Sequence, residues 1–266
     1  MELRFMTIRI EKSGFVWTII HSRPEARGAM DPEHANVLYE AFLAFNADDN
    51  AYVAVFWGEG GAFCSGWDLK YAANLDADDF VADYEFPDTD SQSIAAMGPS
   101  RLTLDKPVIA AIAGPAVAGG MELALFADMR VMETSAYMGV FSRRWGIPLI
   151  DGGTVRLPRL VGEGRAMEIV LTGRKLDAEE CLSIGLCEYV VDNGKSRQKA
   201  EDLAHKIASF PQSCLRTDRK SMLDQHSLDF NEALRREWEN GKDEMARGGI
   251  DGASRFAKGA GRHGKF

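Results

Sequence analysis

A strand, a glycine turn and the start of a helix follow one another between Pro107 and Asp128 (PVIAAIAGPAVAGGMELALFAD). The segment opens with an apolar run typical of a strand, Gly114-Pro115 continues neither regular element, and Gly119-Gly120 precede a helix-like segment from Met121 to Phe126. Glycine lets the backbone approach a ligand closely. The first turn of a helix offers unpaired N–H groups at the positive end of its dipole. The pattern therefore predicts a site that favours a developing anion.

A second stretch, from Gly60 to Lys70 (GGAFCSGWDLK), follows the same logic. An apolar run from Ala51 to Trp57 predicts a strand covered on both faces, and the glycine-rich turn after it leads into another helix start. Backbone N–H groups from two separate loops are what an oxyanion hole needs. Glu122 lies three positions after Gly119, which places a carboxylate beside that site, although a helix dipole alone also favours an acid in the first turn.

The runs AFCSGWDL and AGPAVAGGMELALFAD resemble the two signature loops of the crotonase superfamily, the enoyl-CoA hydratase and isomerase proteins. The segment from Leu171 to Val191 (LTGRKLDAEECLSIGLCEYVV) resembles a third family segment, and the likeness runs from about Ile8 to Phe256. It implies an α/β fold, a spiral of ββα units followed by a helical C-terminal region that makes trimer contacts. We therefore expect a core over residues 1–195, a helical region over residues 196–266, and a homotrimer or a dimer of trimers.

The resemblance also implies the chemistry. Family members bind an acyl-CoA thioester and stabilise its enolate with two backbone N–H groups, which correspond here to those of Trp67 and Gly119, with Glu122 as the main acid/base. Asp68 is expected chiefly to cap a short helix from Leu69 to Ala73. The candidate substrate contacts in the first loop are Ala62, Ser65, Gly66 and Asp68.

One position departs from the hydratase pattern. Hydratases that use two glutamates carry the second in a Pro-Glu pair, and Phe141-Ser142 stands at that position here. Ser142 remains a candidate substrate contact, but serine does not ionise near neutral pH to activate water. Asp151 is the predicted substitute, because its run IDGG resembles the FDGG run of the naphthoate synthase branch. The alternative is that Asp151 caps a helix starting near Gly152 or Gly153.

Basic residues supply the candidates for coenzyme A contacts. Arg23 and Arg27 follow a predicted β-hairpin, and the family's comparable loop helps to bind coenzyme A, although a solvated loop explains them equally well. Lys258 lies in a basic, glycine-rich tail, and the family's C-terminal helix can reach coenzyme A. Arg143 and Arg144 either line the pocket mouth or lie on the surface or at a subunit interface.

Patterning predicts most other elements. Asp31-Pro32 predicts an N-cap and first turn for a helix with Leu38, Phe42 and Phe45 on one face. The acidic, loop-like stretch over residues 76–90 predicts a solvated face or a mobile lid, and the family resemblance implies that it is the variable part that shapes the acyl pocket. From Glu163 onward the chain is predicted to be mostly helical.

Composition excludes several classes of protein. The net charge is −9 and no long basic run is present, so no nucleic-acid partner is expected. No apolar run has membrane-spanning length and the N-terminus has no signal-peptide pattern, so we expect no membrane partner and a cytoplasmic location. The four cysteines and five histidines have no ligand spacing. No metal site is predicted, and no cofactor beyond the coenzyme A of the substrate.

Three functions from different classes remain open. The first is hydration of a 2-enoyl-CoA, with Glu122 as the main acid/base and Asp151 or a bound water in place of the missing glutamate. The second is another crotonase reaction, such as double-bond isomerisation, ring closure or cleavage, or decarboxylation. The third is a non-catalytic acyl-CoA binding protein. Both glycine loops argue against the third function, and Ser142 argues against the familiar form of the first.

Overall fold

The computed structural model describes residues 7–87 and 92–261. Their backbone divides into two compact units, one that ends at Ile207 and one that begins at Ala208. The core predicted over residues 1–195 and the helical region over residues 196–266 stay a prediction of domain organisation. Within residues 7–87 and 92–261 no helix is long and apolar enough to cross a bilayer.

Nine strands form two sheets in the described part of the first unit. The strands are β1 Ile8–Ser13, β2 Val16–His21, β3 Val53–Gly58, β4 Val108–Ile112, β5 Pro115–Val117, β6 Met129–Glu133, β7 Tyr137–Gly139, β8 Leu176–Asp177 and β9 Tyr189–Val191. The larger sheet has the order β1-β2-β3-β4-β6-β9 and the smaller one β5-β7-β8. In the larger sheet only the β1–β2 pair is antiparallel, and it forms the predicted hairpin. Met6, at the start of that prediction, lies outside the described residues.

The central strands read as apolar runs because both their faces are covered. Every residue of β4 is buried, and every residue of β3 except Trp57 is buried. Parallel strands packed on both sides lose the alternation of apolar and polar residues that a half-exposed strand shows. The predicted strand over Ala51 to Trp57 is confirmed, and its end leads directly into the first glycine loop.

Eight helices of the first unit connect and cover these strands in the described residues. They are α1 Pro32–Ala47, α2 Leu69–Ala72, α3 Ala77–Tyr84, α4 Gly119–Phe126, α5 Gly153–Val161, α6 Glu163–Thr172, α7 Ala178–Ser183 and α8 Ser196–Ala208, whose last residue is the first of the second unit. Helix α1 has the predicted cap, since Asp31 accepts a hydrogen bond from the His34 N–H at 2.9 Å. Leu38, Phe42 and Phe45 are fully buried on its inner face, so that prediction is confirmed.

The acidic stretch is not wholly a loop, and the prediction needs correction there. Residues 77–84 form helix α3, which Asp76 caps by accepting hydrogen bonds from the N–H groups of Asp78 and Asp79. A side-chain cap stabilises the first turn of a helix, and acids in that turn interact favourably with the positive end of the helix dipole. A cluster of acids therefore does not by itself prevent a helix. Asp88 and Asp90 of the same stretch lie outside the described residues.

The second unit is helical, as predicted. It contains α9 Gln212–Asp224, α10 Phe230–Glu244, a π-helical turn Met245–Gly249 and α11 Ile250–Ala257. Lys258 follows α11 directly and is exposed. The end of the predicted basic tail, residues 262–266, lies outside the described residues. Large apolar side chains are exposed along this unit, among them Phe230 at 76% and Trp238 at 65%.

Candidate active site

The two glycine loops lie side by side. Cys64 N–H donates to the carbonyl of Pro115 at 3.0 Å, and Val117 N–H donates to the carbonyl of Cys64 at 3.0 Å. Helix α4 begins so close to this bridge that a Cβ atom on Gly120 would lie 2.1 Å from the Cys64 oxygen. Glycine is therefore required at residue 120 for the loops to meet.

Ala118 turns the chain into helix α4 with a backbone conformation that side chains rarely adopt. Its φ is 53° and its ψ −127°. A non-glycine residue held in such a conformation typically lowers the stability of the fold by about 1–3 kcal/mol. The Ala118 N–H donates to the Gly139 carbonyl at 2.9 Å, which helps to hold the turn. A Cβ atom on Gly66 would lie 3.1 Å from the Gly119 nitrogen. The turn thus brings the Gly119 N–H against the first glycine loop.

The N–H groups of Trp67 and Gly119 donate to no acceptor within the described residues. The amides around Trp67 are engaged, since the Asp68 N–H donates to the Met30 carbonyl at 2.7 Å and the Gly66 carbonyl accepts from the Met30 N–H at 2.8 Å. Trp67 and Gly119 both line one cavity of about 350 Å³. The structure therefore brings the two predicted anion donors to a single cavity.

Glu122 lies in the first turn of α4 and lines the same cavity, with 3% of its surface exposed. Its Oε1 accepts hydrogen bonds from the Asp151 N–H at 2.9 Å and the Gly153 N–H at 2.8 Å. Its Oε2 accepts none from a described residue. Burial raises the pKa of Glu122 from 4.5 to about 7, and the charge of Asp151 acts in the same direction. Glu122 can therefore both donate and accept a proton near neutral pH.

Asp151 is the second carboxyl group in the cavity lining, and it is also 3% exposed. Its Oδ1 accepts hydrogen bonds from the Met97 N–H at 3.0 Å and the Ser100 hydroxyl at 2.5 Å. Burial raises the pKa of Asp151, and these hydrogen bonds oppose the rise. The cap interpretation is wrong, because α5 has Gly152 at its N-cap and no side-chain cap. The Asp151 carboxylate is bound to residues 97–100 instead.

Arg156 ties the Asp151 segment to its hydrogen-bond partners. From α5 its Nη1 donates to the Asp151 carbonyl at 3.1 Å and its Nη2 to the Ser100 carbonyl at 2.6 Å. Burial lowers the pKa of Arg156, and the charges of Glu122 and Asp151 oppose that change. Sequence reasoning missed both Ser100 and Arg156. The position of Arg156, one turn into the helix after IDGG, was an available signal, whereas no motif marks Ser100.

Ser142 lies in the 3₁₀ turn Phe141–Trp145 and lines the cavity with Glu122 and Asp151. It is 6% exposed, and its hydroxyl has no hydrogen-bond partner within the described residues. The resemblance thus selected a position that belongs to the cavity. A buried hydroxyl without a partner typically costs about 1–3 kcal/mol, so a polar group of a ligand or a water molecule would satisfy it.

The other candidates from the first loop have mixed positions. Ser65 lines the cavity and donates its hydroxyl to the Ala26 carbonyl at 3.1 Å. Asp68 caps α2 as predicted, through the N–H groups of Lys70 and Tyr71. Ala62 and Gly66 are buried, but they and Asp68 are absent from the cavity lining.

The predicted coenzyme A residues lie outside the cavity lining as well. Arg23 has internal partners, since its guanidinium contacts the carboxylates of Asp31 at 3.0 Å and Asp68 at 3.1 Å. Only 16% of its side chain is exposed. Arg27 is exposed and has a left-handed backbone with a φ of 52°. For Arg23, Arg27 and Lys258, coenzyme A contact stays a prediction.

Known proteins resemble this chain along most of its length. The family model described as enoyl-CoA hydratase/isomerase matches residues 11–254. The chain belongs to the enoyl-CoA hydratase/isomerase family. It is 31% identical over 233 residues to enoyl-CoA hydratase EchA19 of Mycobacterium tuberculosis, covering 85% of this chain and 84% of that protein. It is 36% identical over 205 residues to carnitinyl-CoA dehydratase of Proteus mirabilis, covering 76% and 75%.

Solved structures of this enoyl-CoA hydratase/isomerase family share the fold. An enoyl-CoA hydratase from Bacillus anthracis matches with a TM-score of 0.85 and 29% identity, over 95% of this chain and 96% of that one. Enoyl-CoA hydratase EchA1 from Mycobacterium marinum matches with a TM-score of 0.84 and 26% identity, over 95% and 96%. The predicted crotonase-like α/β fold with a helical C-terminal region is confirmed, and the chain is an enzyme of the enoyl-CoA hydratase/isomerase family.

Proposed function

We propose that the protein adds water to the double bond of a 2-enoyl-CoA thioester. One observation carries the proposal: a single cavity is lined by two buried carboxyl groups, from Glu122 and Asp151, and by two backbone N–H groups that find no acceptor in the described residues, from Trp67 and Gly119. Hydration needs an acid, a base and a place for negative charge, and this set supplies all three.

The N–H pair acts on the thioester oxygen. When the oxygen of water bonds to the β-carbon, the electron pair of the double bond moves to the α-carbon and the thioester oxygen, which forms an enolate. Trp67 and Gly119 N–H groups stabilise that oxygen, and each such donor typically lowers the barrier by about 2.7–4 kcal/mol. The side chain of Trp67 has no part in this donation.

The two carboxyl groups move the protons. The ionised one accepts a proton from the attacking water, and the protonated one gives a proton to the α-carbon, so that one water is added in total. Burial raises the pKa of both Glu122 and Asp151, and the charge of Asp151 raises the pKa of Glu122 further. Near pH 7 the pair therefore holds an acid and a base at the same time, and exchange with solvent restores it after each turnover.

Purified protein tested against a panel of acyl-CoA thioesters, scored for binding and for turnover, tests this proposal. We expect 2-enoyl-CoA to give 3-hydroxyacyl-CoA, and Glu122→Gln to lower turnover by roughly 10²- to 10⁴-fold with little change in thioester binding. Tight thioester binding with no chemical product from any thioester would contradict hydration. It would leave a non-catalytic acyl-CoA binding protein.

Double-bond isomerisation is the second candidate, and Ser142 favours it. With serine at the usual position of the second glutamate, Glu122 keeps one oxygen that accepts no hydrogen bond from a described residue, and its pKa of about 7 suits it to move a proton between the α- and γ-carbons by itself. Product analysis separates the two reactions, because isomerisation shifts the double bond without adding the mass of water.

We further propose a homotrimer or a dimer of trimers, supported by the exposed apolar side chains of α9 to α11. Light scattering that reports a monomer at micromolar concentration would contradict it. Free thiols at all four cysteines, Cys64, Cys181, Cys187 and Cys214, support a reducing, cytoplasmic location. No cofactor beyond the coenzyme A of the substrate is needed for the steps above, and phosphate contacts are proposed for Arg23, Arg27 and Lys258.

A further inference from the structure

The lining of the cavity is mostly apolar and rich in aromatic rings. Trp67, Phe80, Phe141 and Trp145 all line it, together with aliphatic residues such as Leu149. Phe80 comes from α3 and packs against Trp67 with a centroid distance of 5.0 Å. Trp145 is 68% exposed, so an apolar ligand would cover a large apolar surface there.

The charged side chains that line the cavity are all acidic. Glu122 and Asp151 line it, whereas none of its described lining residues is a lysine, arginine or histidine. Arg143 is not part of the lining and donates to the Val170 carbonyl at 3.3 Å. Arg144 is also outside the lining and stacks on the ring of Phe141 at 3.8 Å. An acyl group with a carboxylate would therefore meet two buried acids and no cation among the described lining residues.

The size of the cavity suits a ring. Its volume is about 350 Å³, and an apolar protein cavity of about 150 Å³ is large enough to bind benzene. The part of the cavity volume that a ring does not fill has room for the three-carbon enoyl thioester, which must reach Glu122 and the N–H groups of Trp67 and Gly119. Aromatic rings also gain from edge and offset contacts with other rings, beyond the burial of area.

We propose that the enzyme acts on neutral, ring-bearing acyl groups, that is, on 3-aryl-2-enoyl-CoA thioesters, an inference that rests on the enoyl-CoA hydration proposed above. The aromatic lining, the absence of a basic lining residue and the volume all point to that class. A short alkyl acyl group leaves the rings uncovered, and a dicarboxylic acyl group places a third acid in the cavity.

The test compares kcat/KM for cinnamoyl-CoA, 2-octenoyl-CoA, glutaconyl-CoA and crotonyl-CoA on the full chain. We expect cinnamoyl-CoA to exceed crotonyl-CoA by at least about tenfold, because filling an apolar pocket has that effect. It should exceed 2-octenoyl-CoA by roughly two- to tenfold through ring contacts, and glutaconyl-CoA should be the poorest. A value for 2-octenoyl-CoA at or above that for cinnamoyl-CoA, or for glutaconyl-CoA at or above that for crotonyl-CoA, overturns the inference.

Calorimetry with saturated thioesters separates this inference from the proposed reaction. The probes are 3-phenylpropionyl-CoA, butyryl-CoA and glutaryl-CoA, none of which can be hydrated. Tighter binding of 3-phenylpropionyl-CoA supports the aryl class even if every enoyl-CoA is left unchanged, in which case hydration alone is refuted. Equal affinity for the three probes overturns the aryl class whatever the turnover.

Phe80→Leu tests the ring directly, because leucine keeps an apolar side chain in the lining. We expect it to lower kcat/KM for cinnamoyl-CoA by roughly two- to tenfold and to narrow its advantage over 2-octenoyl-CoA. Phe86→Leu is the matched control, since Phe86 is 67% exposed, stacks with Arg101 and is absent from the lining. The same loss in both variants, or in neither, contradicts a role for the Phe80 ring.

Discussion

Replacing Glu122 with glutamine should lower turnover by roughly 10²- to 10⁴-fold and stabilise the fold at the same time. Glutamine keeps a carbonyl oxygen where Oε1 accepts the hydrogen bonds of Asp151 and Gly153, but it cannot ionise. The wild-type carboxyl group has a pKa of about 7 in the folded chain against an ordinary value of 4.5. The folded chain therefore holds this proton more tightly than the unfolded chain does.

The direction in which pH changes the stability follows from the difference between the pKa of Glu122 in the folded chain and in the unfolded chain. Below about pH 4.5 Glu122 is protonated in both the folded and the unfolded chain, and it does not lower the free energy of unfolding. Between about pH 4.5 and 7 Glu122 ionises in the unfolded chain before it does in the folded chain, so the free energy of unfolding falls. The full cost above pH 7 is about 3 kcal/mol, from a pKa difference of about 2.5 at about 1.36 kcal/mol per pKa unit. At about pH 5 the same relation leaves a cost below about 1 kcal/mol.

Calorimetric melting of wild type and Glu122→Gln at about pH 5 and about pH 8 measures this. In chains of this size a change of 1 kcal/mol in the free energy of unfolding moves the melting temperature by about 2–4 °C. The variant should therefore melt roughly 6–12 °C above wild type at about pH 8, and only slightly above it at about pH 5. Glu40→Gln is the control, because Glu40 is exposed in the middle of α1 and such surface changes usually stay within about 0.5 kcal/mol. An equal melting temperature for Glu122→Gln and wild type at both pH values refutes the reasoning.

Three further predictions concern the surroundings of Glu122. Asp151→Asn should lower turnover about as much as Glu122→Gln while leaving the melting temperature nearly unchanged at about pH 5, and full activity would exclude Asp151 from the chemistry. Ser100→Ala removes a hydrogen bond that lowers the pKa of Asp151, so the acid limb of the pH–rate profile should move to higher pH, and an unmoved limb would contradict that. Gly120→Ala should prevent correct folding, since its Cβ would lie 2.1 Å from the Cys64 oxygen; soluble, fully active protein would show that the loops can separate.

The two glycine loops were predictable because local pattern determines them. Strand, turn and helix start can be read within some twenty neighbouring residues, and the position of Glu122 follows from its spacing to Gly119. The role of Asp151 was not predictable in the same way. Aspartate before a helix usually caps it, and here its carboxylate is bound by Met97 and Ser100, more than fifty positions away in the chain.

Helix α3 shows a different limit of sequence reasoning. The acids of this stretch suggested a loop-like region. Only the spacing of Asp76 to Asp78 and Asp79 distinguishes a capped helix from such a loop. That Phe80 of this helix lines the cavity depends on its contact with Trp67, which no local pattern reports. The surroundings of a site formed by separate segments are fixed by tertiary packing, and the segments themselves by local pattern.

The hydrogen bonds between Glu122 Oε1 and the N–H groups of Asp151 and Gly153 have a consequence for how this site can change through evolution. The glutamate holds the backbone of the very segment that carries the aspartate, so a residue at position 122 that cannot accept these hydrogen bonds also disturbs the placement of Asp151. Substitutions at the two positions should therefore not combine additively. A lineage that replaces Glu122 with a residue lacking such an acceptor loses the placement of Asp151 as well, and this restricts the routes by which such a chain acquires a new reaction.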